Sequence, residues 1–521
     1  MADQTASPSR GWVVTIAGLC INLALGVLYT WSIFTAKFTT VLTLGAGGVV
    51  STKTAPVAGA GPIPAADAVS VYHLKLAEGA KAVSGFFVSG LSKATDPAAG
   101  YKTVGVAKTV LAEHAYNWAA TDALAPYALA LLFFAFTMVF AGRMQDKYGP
   151  RIVATAGGAC VGLGMIIASF SDYSAKGNHT LLLLGFGVLT GIGIGLAYAC
   201  ATPAAVKWFH ASKRGLISGI VVGGFGLASV YTAPLTTQMI AGSGLNGTFM
   251  YLGIAFLIAI ILFAQLLTNP PAGYVAAVPA GFTPPPPSAA AATALKRVEY
   301  TWQQMVKTPQ FYLLWMMYAF AAFAGLMMTG LIGKVAPELL SPADYAVMSS
   351  AELAGIALAS GFLLVMFLAL GNGIGRPIIG MVSDRIGRVP SMIIVFLAQA
   401  VLVALILPNS HNLYLLLLVA ALIGAMYGAN LTLFPAATYD FFGTKYGGVN
   451  YGLIFTAWGV GGALGNYAAG WIKDATGVFT PAYYIAAGLL VVAAILAVTV
   501  KEPHHAAEDK GAEHLAHQEI G

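Results

Sequence analysis

Apolar residues run along this chain in long blocks separated by short polar punctuation. Twelve blocks approach or exceed the roughly 20 residues that a helix needs to cross a ~30 Å hydrocarbon core. They are 11–36, 123–142, 152–170, 180–206, 214–240, 248–268, 310–334, 353–381, 390–407, 413–438, 449–472 and 481–500. None shows the ~10-residue alternating pattern of a membrane barrel strand. Backbone groups in lipid must find partners within their own segment, so each block predicts a helix. The first block is too long for the apolar region of about 7–15 residues in a cleaved leader, and is read as a span.

The punctuation predicts orientation. Arg143, Lys147 and Arg151 lie between blocks 2 and 3, and Lys207, Lys213 and Arg214 between 4 and 5. Lys296, Arg297 and Lys307 lie between 6 and 7, and Arg385 and Arg388 between 8 and 9. The alternate short loops are poorer in bases, with Lys176 beside Asp172 and Lys473 beside Asp474. The basic loops and both termini are therefore expected on the cytoplasmic side of a plasma or bacterial inner membrane. Six regions are expected: 1–36, the N-terminus and first helix; 37–122, a long extracytoplasmic insertion; 123–268, the rest of the first six-helix bundle. They continue with 269–309, a cytoplasmic linker containing Pro284 to Pro287; 310–500, the second bundle; and 501–521, a polar tail. The sequence leaves open whether 37–122 is a folded cap or a loosely ordered insertion.

Composition agrees with a membrane protein. Charged residues make up 9% of the chain, against about 25% in soluble domains. Glycine contributes 61 of 521 residues, where about 7% is usual, and small residues let membrane helices approach closely. The net charge of +6 bears on topology and is no signal for nucleic acid. Cys20, Cys160 and Cys200 all fall in apolar blocks and read as small hydrophobes. Neither CxxC nor HExxH occurs, so no metal and no cofactor is expected. GIGIG at 191–195 follows no strand and is no nucleotide loop. Gly187, Gly191 and Gly195, Gly219 and Gly223, and Gly461 and Gly465 share a four-residue spacing expected to serve helix packing.

The chain repeats itself. Gly142, Asp146 and Gly149 recur as Gly380, Asp384 and Gly387, 238 residues later. Pro203-Ala204-Ala205 with Phe209 recurs as Pro435-Ala436-Ala437 with Phe441, 232 residues later, and Lys213 and Lys445 keep that offset. Two echoes at nearly equal offsets predict duplicated halves. The fold class expected is an all-α integral membrane protein, with twelve transmembrane helices in two pseudo-symmetric six-helix bundles.

GRMQDKYGPR at 142–151 and GMVSDRIGR at 380–388 resemble the cytoplasmic signature of the major facilitator superfamily. The resemblance implies secondary transport, with Gly142, Arg143, Asp146, Gly149, Arg151, Gly380, Asp384, Arg385, Gly387 and Arg388 serving the conformational switch. FPAATYDFFGTKYGGVNYGLIFTAWGVGGALG from Phe434 to Gly465, LGVLYTWSIF in the first helix and GNGIGRP in the eighth resemble the oxalate/formate antiporter family. The last two also fit its cousins, the monocarboxylate transporters. That likeness covers nearly the whole chain except 37–122.

One residue carries the candidate chemistry. Among the bases, only Arg376 falls well inside an apolar block, eight residues before Asp384, or about 12 Å along a helix. A charge there costs at least ~2.5–3.5 kcal/mol on insertion scales, and its own helix offers no acid. One reading makes the partner a substrate carboxylate, gripped bidentately by a guanidinium that stays charged. The other has the arginine snorkelling to the interface or pairing with a helix end. The family resemblance implies the first. Further lining candidates are Tyr29, Trp31, Tyr198, Asn372, Asn430 and Trp458; for the aromatics, ordinary packing is the competing reading.

Two departures from the resembled families bear on cargo. The oxalate exchangers carry a lysine in the stretch that reads Thr456-Ala457-Trp458-Gly459 here, which favours a monocarboxylate over doubly charged oxalate. Animal monocarboxylate/proton symporters carry an acid where Asn372 stands, so a side-chain proton relay lacks a carrier. The expected function is exchange of small carboxylates such as formate, oxalate or lactate-like acids by alternating access, with a monomer as working unit. Proton-coupled symport and transport of an unrelated small molecule remain the alternatives. An enzyme would need clustered catalytic residues within the membrane, and the histidines and acids lie at loops and helix ends.

Overall fold

The computed structural model describes residues 8–38, 118–173, 178–210, 213–271, 274, 276, 299–339, 362–443 and 446–501, together with five short strands within 43–103. The proline run of the linker, the tail beyond 501 and most of the long insertion lie outside the described residues. Within that insertion, β1 Thr43–Gly45, β2 Val49–Lys53 and β3 Val71–Leu74 form an antiparallel sheet. β4 Ala94–Asp96 and β5 Tyr101–Thr103 form a second.

The membrane part is all-α. Its helices are α1 Ser9–Phe38, α2 Ala120–Tyr148, α3 Pro150–Ala168 and α4 Thr180–Val206. The stretch Arg214–Ala264 is broken at Gly244, which adopts φ 67°, a left-handed conformation favoured by glycine. We label its two parts α5 (214–243) and α6 (245–264). Then follow α7 Pro309–Leu339, α8 Leu364–Ile386, α9 Arg388–Asn409, α10 Leu413–Phe442, α11 Gly447–Thr476 and α12 Thr480–Thr499. The eighth block was expected from 353; residues 340–361 lie outside the described set.

Neighbour contacts show that the chain reverses at Gly244. Gly18 of α1 lies on Val221 and Gly26 on Phe225 and Ala228, so α5 runs parallel to α1. Gly162 of α3 lies on Leu257 and Gly158 on Ile260, while Asn246 donates to the Ser169 carbonyl at 2.6 Å. Thus α6 runs antiparallel to α3. Twelve passes result, and Ser9 and Lys501 share the end that carries both glycine–aspartate loops, here the motif end.

The halves pack alike. In the first, α1 pairs with α5, α2 with α4 and α3 with α6; in the second, α7 pairs with α11, α8 with α10 and α9 with α12. Small residues make these contacts, because burial from lipid offers little hydrophobic gain. Gly191 of α4 would bring an added Cβ to 2.7 Å from the Ala130 carbonyl of α2, and Gly428 of α10 rests on the Asn372 backbone of α8. Gly187, Gly195, Gly461 and Gly465 behave likewise. Gly219 and Gly223 do not: an added Cβ would meet nothing within 4 Å, so their spacing marks no packing seam.

Helix α11 is the least hydropathic pass and falls outside the ten stretches that qualify as spans on length and hydropathy. Eight of its thirty residues are glycine. Gly459 contacts Ala135 of α2, Gly461 the Ala319 carbonyl of α7, and Gly470 Thr121 of α2. A helix held between two others needs small residues more than lipid-compatible ones.

Candidate functional site

The halves meet mainly along two crossed pairs, α2 with α11 and α5 with α8, with a smaller contact of α1 with α7. Arg376 sits on the second. Pro377 follows it within α8, and Gly373 and Gly375 keep the neighbouring backbone close to Leu227 and Ala425. Its side chain is 5% exposed. The guanidinium Nε and Nη2 donate to Asn372 Oδ1 at 3.0 and 2.9 Å, and Nη1 donates to the Val222 carbonyl of α5 at 2.8 Å. The arginine therefore spans the two halves. It does not reach a solvent interface, which removes the snorkelling reading. Its partners are neutral, and among the described residues it makes no ion pair.

Asn372 stands one turn before Arg376 on the same face, the i to i+4 relation. Its Oδ1 takes two guanidinium protons, and its Nδ2 is buried without a partner. Gly226 of α5 makes room for this pair: an added Cβ would stand 3.0 Å from Arg376 Nη2 and 3.2 Å from Asn372 Oδ1. Neither Gly226 nor Val222 was singled out from sequence. A carbonyl partner leaves no trace in residue identity, and Gly226 is hidden among other glycines.

Aromatic rings cluster beside the arginine. Tyr29 of α1 packs edge-on to Phe225 at 4.9 Å, and its hydroxyl shares a 2.8 Å hydrogen bond with Tyr427 of α10. Trp458 of α11 donates to the same Tyr427 hydroxyl at 3.0 Å. Tyr198 of α4 meets Phe225 at 5.2 Å and Phe134 at 5.4 Å, and Phe134 meets Trp458 at 5.1 Å. Tyr29 and Tyr198 are both within electrostatic reach of Arg376. Four candidates therefore converge: Arg376, Asn372, Tyr29 and Tyr198, with Trp458 joined through Tyr427. Tyr427 was missed because an aromatic in an apolar helix looks like packing until its hydroxyl partners are known.

Trp31 and Asn430 stand apart. Trp31 is fully buried, stacked on Phe186 at 4.3 Å, with its indole N–H donated to the Ala123 carbonyl at 3.0 Å. The 3₁₀ turn Gly26–Thr30 within α1 alters the helical phase between Tyr29 and Trp31, and Trp31 packs into the aromatic core of the first half. Asn430 donates to its own helix at Met426, and its Oδ1 is buried without a partner.

The repeated loops differ in their contacts. Gly149 and Gly387 both turn the chain with positive φ, 83° and 94°. Gly142 and Gly380 lie within helices, and an added Cβ would meet nothing at the first and only Thr432 at 3.6 Å at the second. Of the two glycines in each motif, only the second makes a turn. Asp146 has Lys207 at 3.9 Å, both well exposed. Arg388 joins Asp384 at 2.7 Å and Asp440 at 3.1 Å, and donates to Ser383. Arg143, Arg151 and Arg385 are exposed.

The far end is closed differently. Asp474 of α11 accepts from the backbone N–H of Ala120 at 2.7 Å and of Thr121 at 2.9 Å, and from the Thr121 hydroxyl at 2.6 Å. A carboxylate from one half thus caps the N-terminus of α2 in the other, where the helix dipole favours negative charge. Ser32 of α1 lies against Gly333 of α7 nearby.

Comparison with known proteins places this arrangement. The family model described as Major Facilitator Superfamily matches residues 82–371 and 339–520. The oxalate:formate antiporter of Oxalobacter formigenes is 32% identical over 341 residues, covering 63% of this chain and 72% of that protein. An uncharacterized MFS-type transporter of Escherichia coli K12, YhjX, is 28% identical over 64% of this chain and 75% of its own length. Monocarboxylate transporter 13 of Rattus norvegicus is 24% identical over 69% of this chain and 75% of its own. The partially occluded, inward-open structure of the Escherichia coli xylose transporter XylE shares the fold, with a TM-score of 0.55, 13% identity, and coverage of 94% of this chain and 97% of that one. With twelve helices in two like halves and a matching family model, the chain is a multi-pass membrane transporter, not an enzyme, and belongs to the Major Facilitator Superfamily.

Proposed function

We propose that this transporter exchanges small monocarboxylate anions, with Arg376 as the group that holds the carboxylate. The observation that carries the reading is the buried guanidinium between the two halves, bound only to neutral oxygens of Asn372 and Val222. Such a cation retains its charge and most of its attraction for an anion. A carboxylate offers two acceptor oxygens in the geometry of the guanidinium fork, and can replace the Val222 carbonyl, loosening α5 from α8 as it binds. The Tyr29 hydroxyl and the Trp458–Tyr427 pair form one hydrogen-bonded cluster beside it. The similarity to an oxalate:formate antiporter supports a carboxylate cargo. With one buried cation among the described residues of this site, a single negative charge is the better match, which favours formate or a lactate-like acid over oxalate. The working unit is a monomer with its motif end in the cytoplasm.

With a neutral Asn372 in contact with Arg376, no acid among the described residues of the site stands ready to relay a proton to the arginine's partner. Exchange should therefore outpace net flux. The test is uptake of labelled formate, lactate and oxalate into proteoliposomes, with and without the same acid inside. Strong acceleration by internal acid, with oxalate the poorest substrate, is expected. Equal rates with and without internal acid, or net uptake driven by an inward proton gradient, would favour symport instead.

A further inference from the structure

The turn of α5 that meets Arg376 is gripped from its other side as well. Asn22 of α1 is fully buried, and its Nδ2 donates to the Val221 carbonyl at 2.7 Å. The next carbonyl, Val222, is the one that accepts from Arg376 Nη1 at 2.8 Å. A carbonyl oxygen has two lone pairs, so each can serve its own helix and still take a side-chain donor. The glycines of this turn leave its backbone reachable. An added Cβ at Gly224 would stand 2.7 Å from the Leu19 carbonyl and 3.4 Å from Asn22 Cβ on α1, whereas one at Gly226 would stand 3.0 Å from Arg376 Nη2 on α8. In the turn 221–226, a helix of the same half and the arginine of the other half thus hold adjacent carbonyls of one backbone. Asn22 Oδ1 is buried without a partner. A leucine of similar size would avoid the cost of that unpaired oxygen, so packing alone does not account for an amide here.

We infer that Asn22 is a positioning residue of the exchange cycle: it keeps α5 on α1 when a carboxylate takes the place of the Val222 carbonyl on Arg376. The inference rests on the carboxylate reading. Once that carbonyl is displaced, the turn has lost its hydrogen bond to α8, and the bond from Asn22 ties it to its own half. Movement of α5 is then shared by α1. Seven residues on from Asn22, α1 carries Tyr29, whose hydroxyl is bonded across the halves to Tyr427. Release at the arginine is thereby passed to a second contact between the halves. The hydrogen bond of Asn22 goes to Val221 and not to the guanidinium or Asn372. Its loss should therefore spare anion binding and slow the conversion that follows.

The experiment pairs counterflow of labelled formate and lactate in proteoliposomes with melting curves of the full chain in detergent, recorded with and without the same acid. A ligand that binds the folded state raises its melting temperature, so binding and conversion are read separately. Wild type, Asn22→Leu, Gly224→Ala and Arg376→Gln are compared. In Asn22→Leu the acid should still raise the melting temperature and KM should stay within about twofold of wild type, while the maximal counterflow rate falls about five- to tenfold, the equivalent of one lost hydrogen bond. Gly224→Ala, which pushes the same turn away from α1, should act in the same direction, and either variant alone suffices if the other folds poorly. A wild-type maximal rate in a folded variant overturns the inference. Loss of the rate together with the melting shift also overturns it, and makes Asn22 a part of the general packing. No melting shift by either acid in wild type, or normal exchange by Arg376→Gln, overturns the carboxylate reading instead.

Discussion

The two halves of the molecule repeat a backbone and divide the chemistry. Gly149 and Gly387 turn with nearly the same dihedral angles, and the same three helix pairings recur. Yet at the first loop Asp146 finds one exposed lysine at 3.9 Å, whereas at the second Arg388 gathers two carboxylates and a serine. The repeat offsets explain the difference. The position of Arg388 is held by Pro150 in the first half, and that of Asp440 by Trp208. Trp208 instead donates its indole to the Thr268 carbonyl at 2.7 Å. In the membrane, Arg376 carried back by the same offset falls on Met138. Residues that repeat mark the architecture, and residues that fail to repeat mark what each half does: the second supplies the charge, with Asn372, Tyr427 and Trp458 beside it, and the first supplies the Val222 carbonyl, Tyr29 and Tyr198.

That division can be broken most severely at Gly226, where the first half yields space to the second half's arginine. Gly226→Val should displace the guanidinium and reduce carboxylate exchange about a hundredfold, the scale of losing charge-assisted hydrogen bonds of ~1.5–3 kcal/mol. Gly223→Val, one turn away with open space around it, should transport within about twofold of wild type. Equal losses at both positions would mean that helix packing, and not the arginine, is at stake.

The far-end seam gives the next effect. Asp474→Ala removes three hydrogen bonds between halves, worth about 2 kcal/mol together. In a background with Cys20, Cys160 and Cys200 replaced by serine, thiol labelling of Ser32→Cys should then accelerate about thirtyfold. An unchanged labelling rate would show that the seam is held elsewhere. The smallest effect separates the loops themselves. Arg388→Gln should lower unfolding stability by about 2 kcal/mol, and Lys207→Gln by less than about 1 kcal/mol, as an exposed pair allows. Melting curves in detergent that shift equally for both would contradict the asymmetry.

Much of this was legible in sequence. The hydrophobic blocks marked twelve passes, with ends within about six residues of the helix bounds and the start of the eighth outside the described residues, although α11 qualifies poorly by hydropathy because its glycines serve two neighbours. The glycine–aspartate echoes exposed the repeat. Arg376 stood out because a charge in an apolar helix has few explanations. Its supporting groups were not visible. Val222 acts through its backbone, Gly226 through what it lacks, and Tyr427 through a hydroxyl that only the fold brings to Tyr29. Trp31 had the composition of a site residue and the position of a core residue, and only three-dimensional phase separates the two. Asp474 looked like loop punctuation beside Lys473, and its capping of α2 spans 354 residues of sequence.

The central claim is that Arg376 is the anion's partner, and the most direct measurement is counterflow of labelled formate and lactate through Arg376→Gln in proteoliposomes, beside a melting curve of the same variant. The account predicts a folded protein with exchange reduced at least about a hundredfold, since the glutamine amide keeps a donor toward Asn372, where the arginine Nε stands, but loses the charge and the reach to Val222. Exchange at the wild-type KM in a folded Arg376→Gln protein would contradict it.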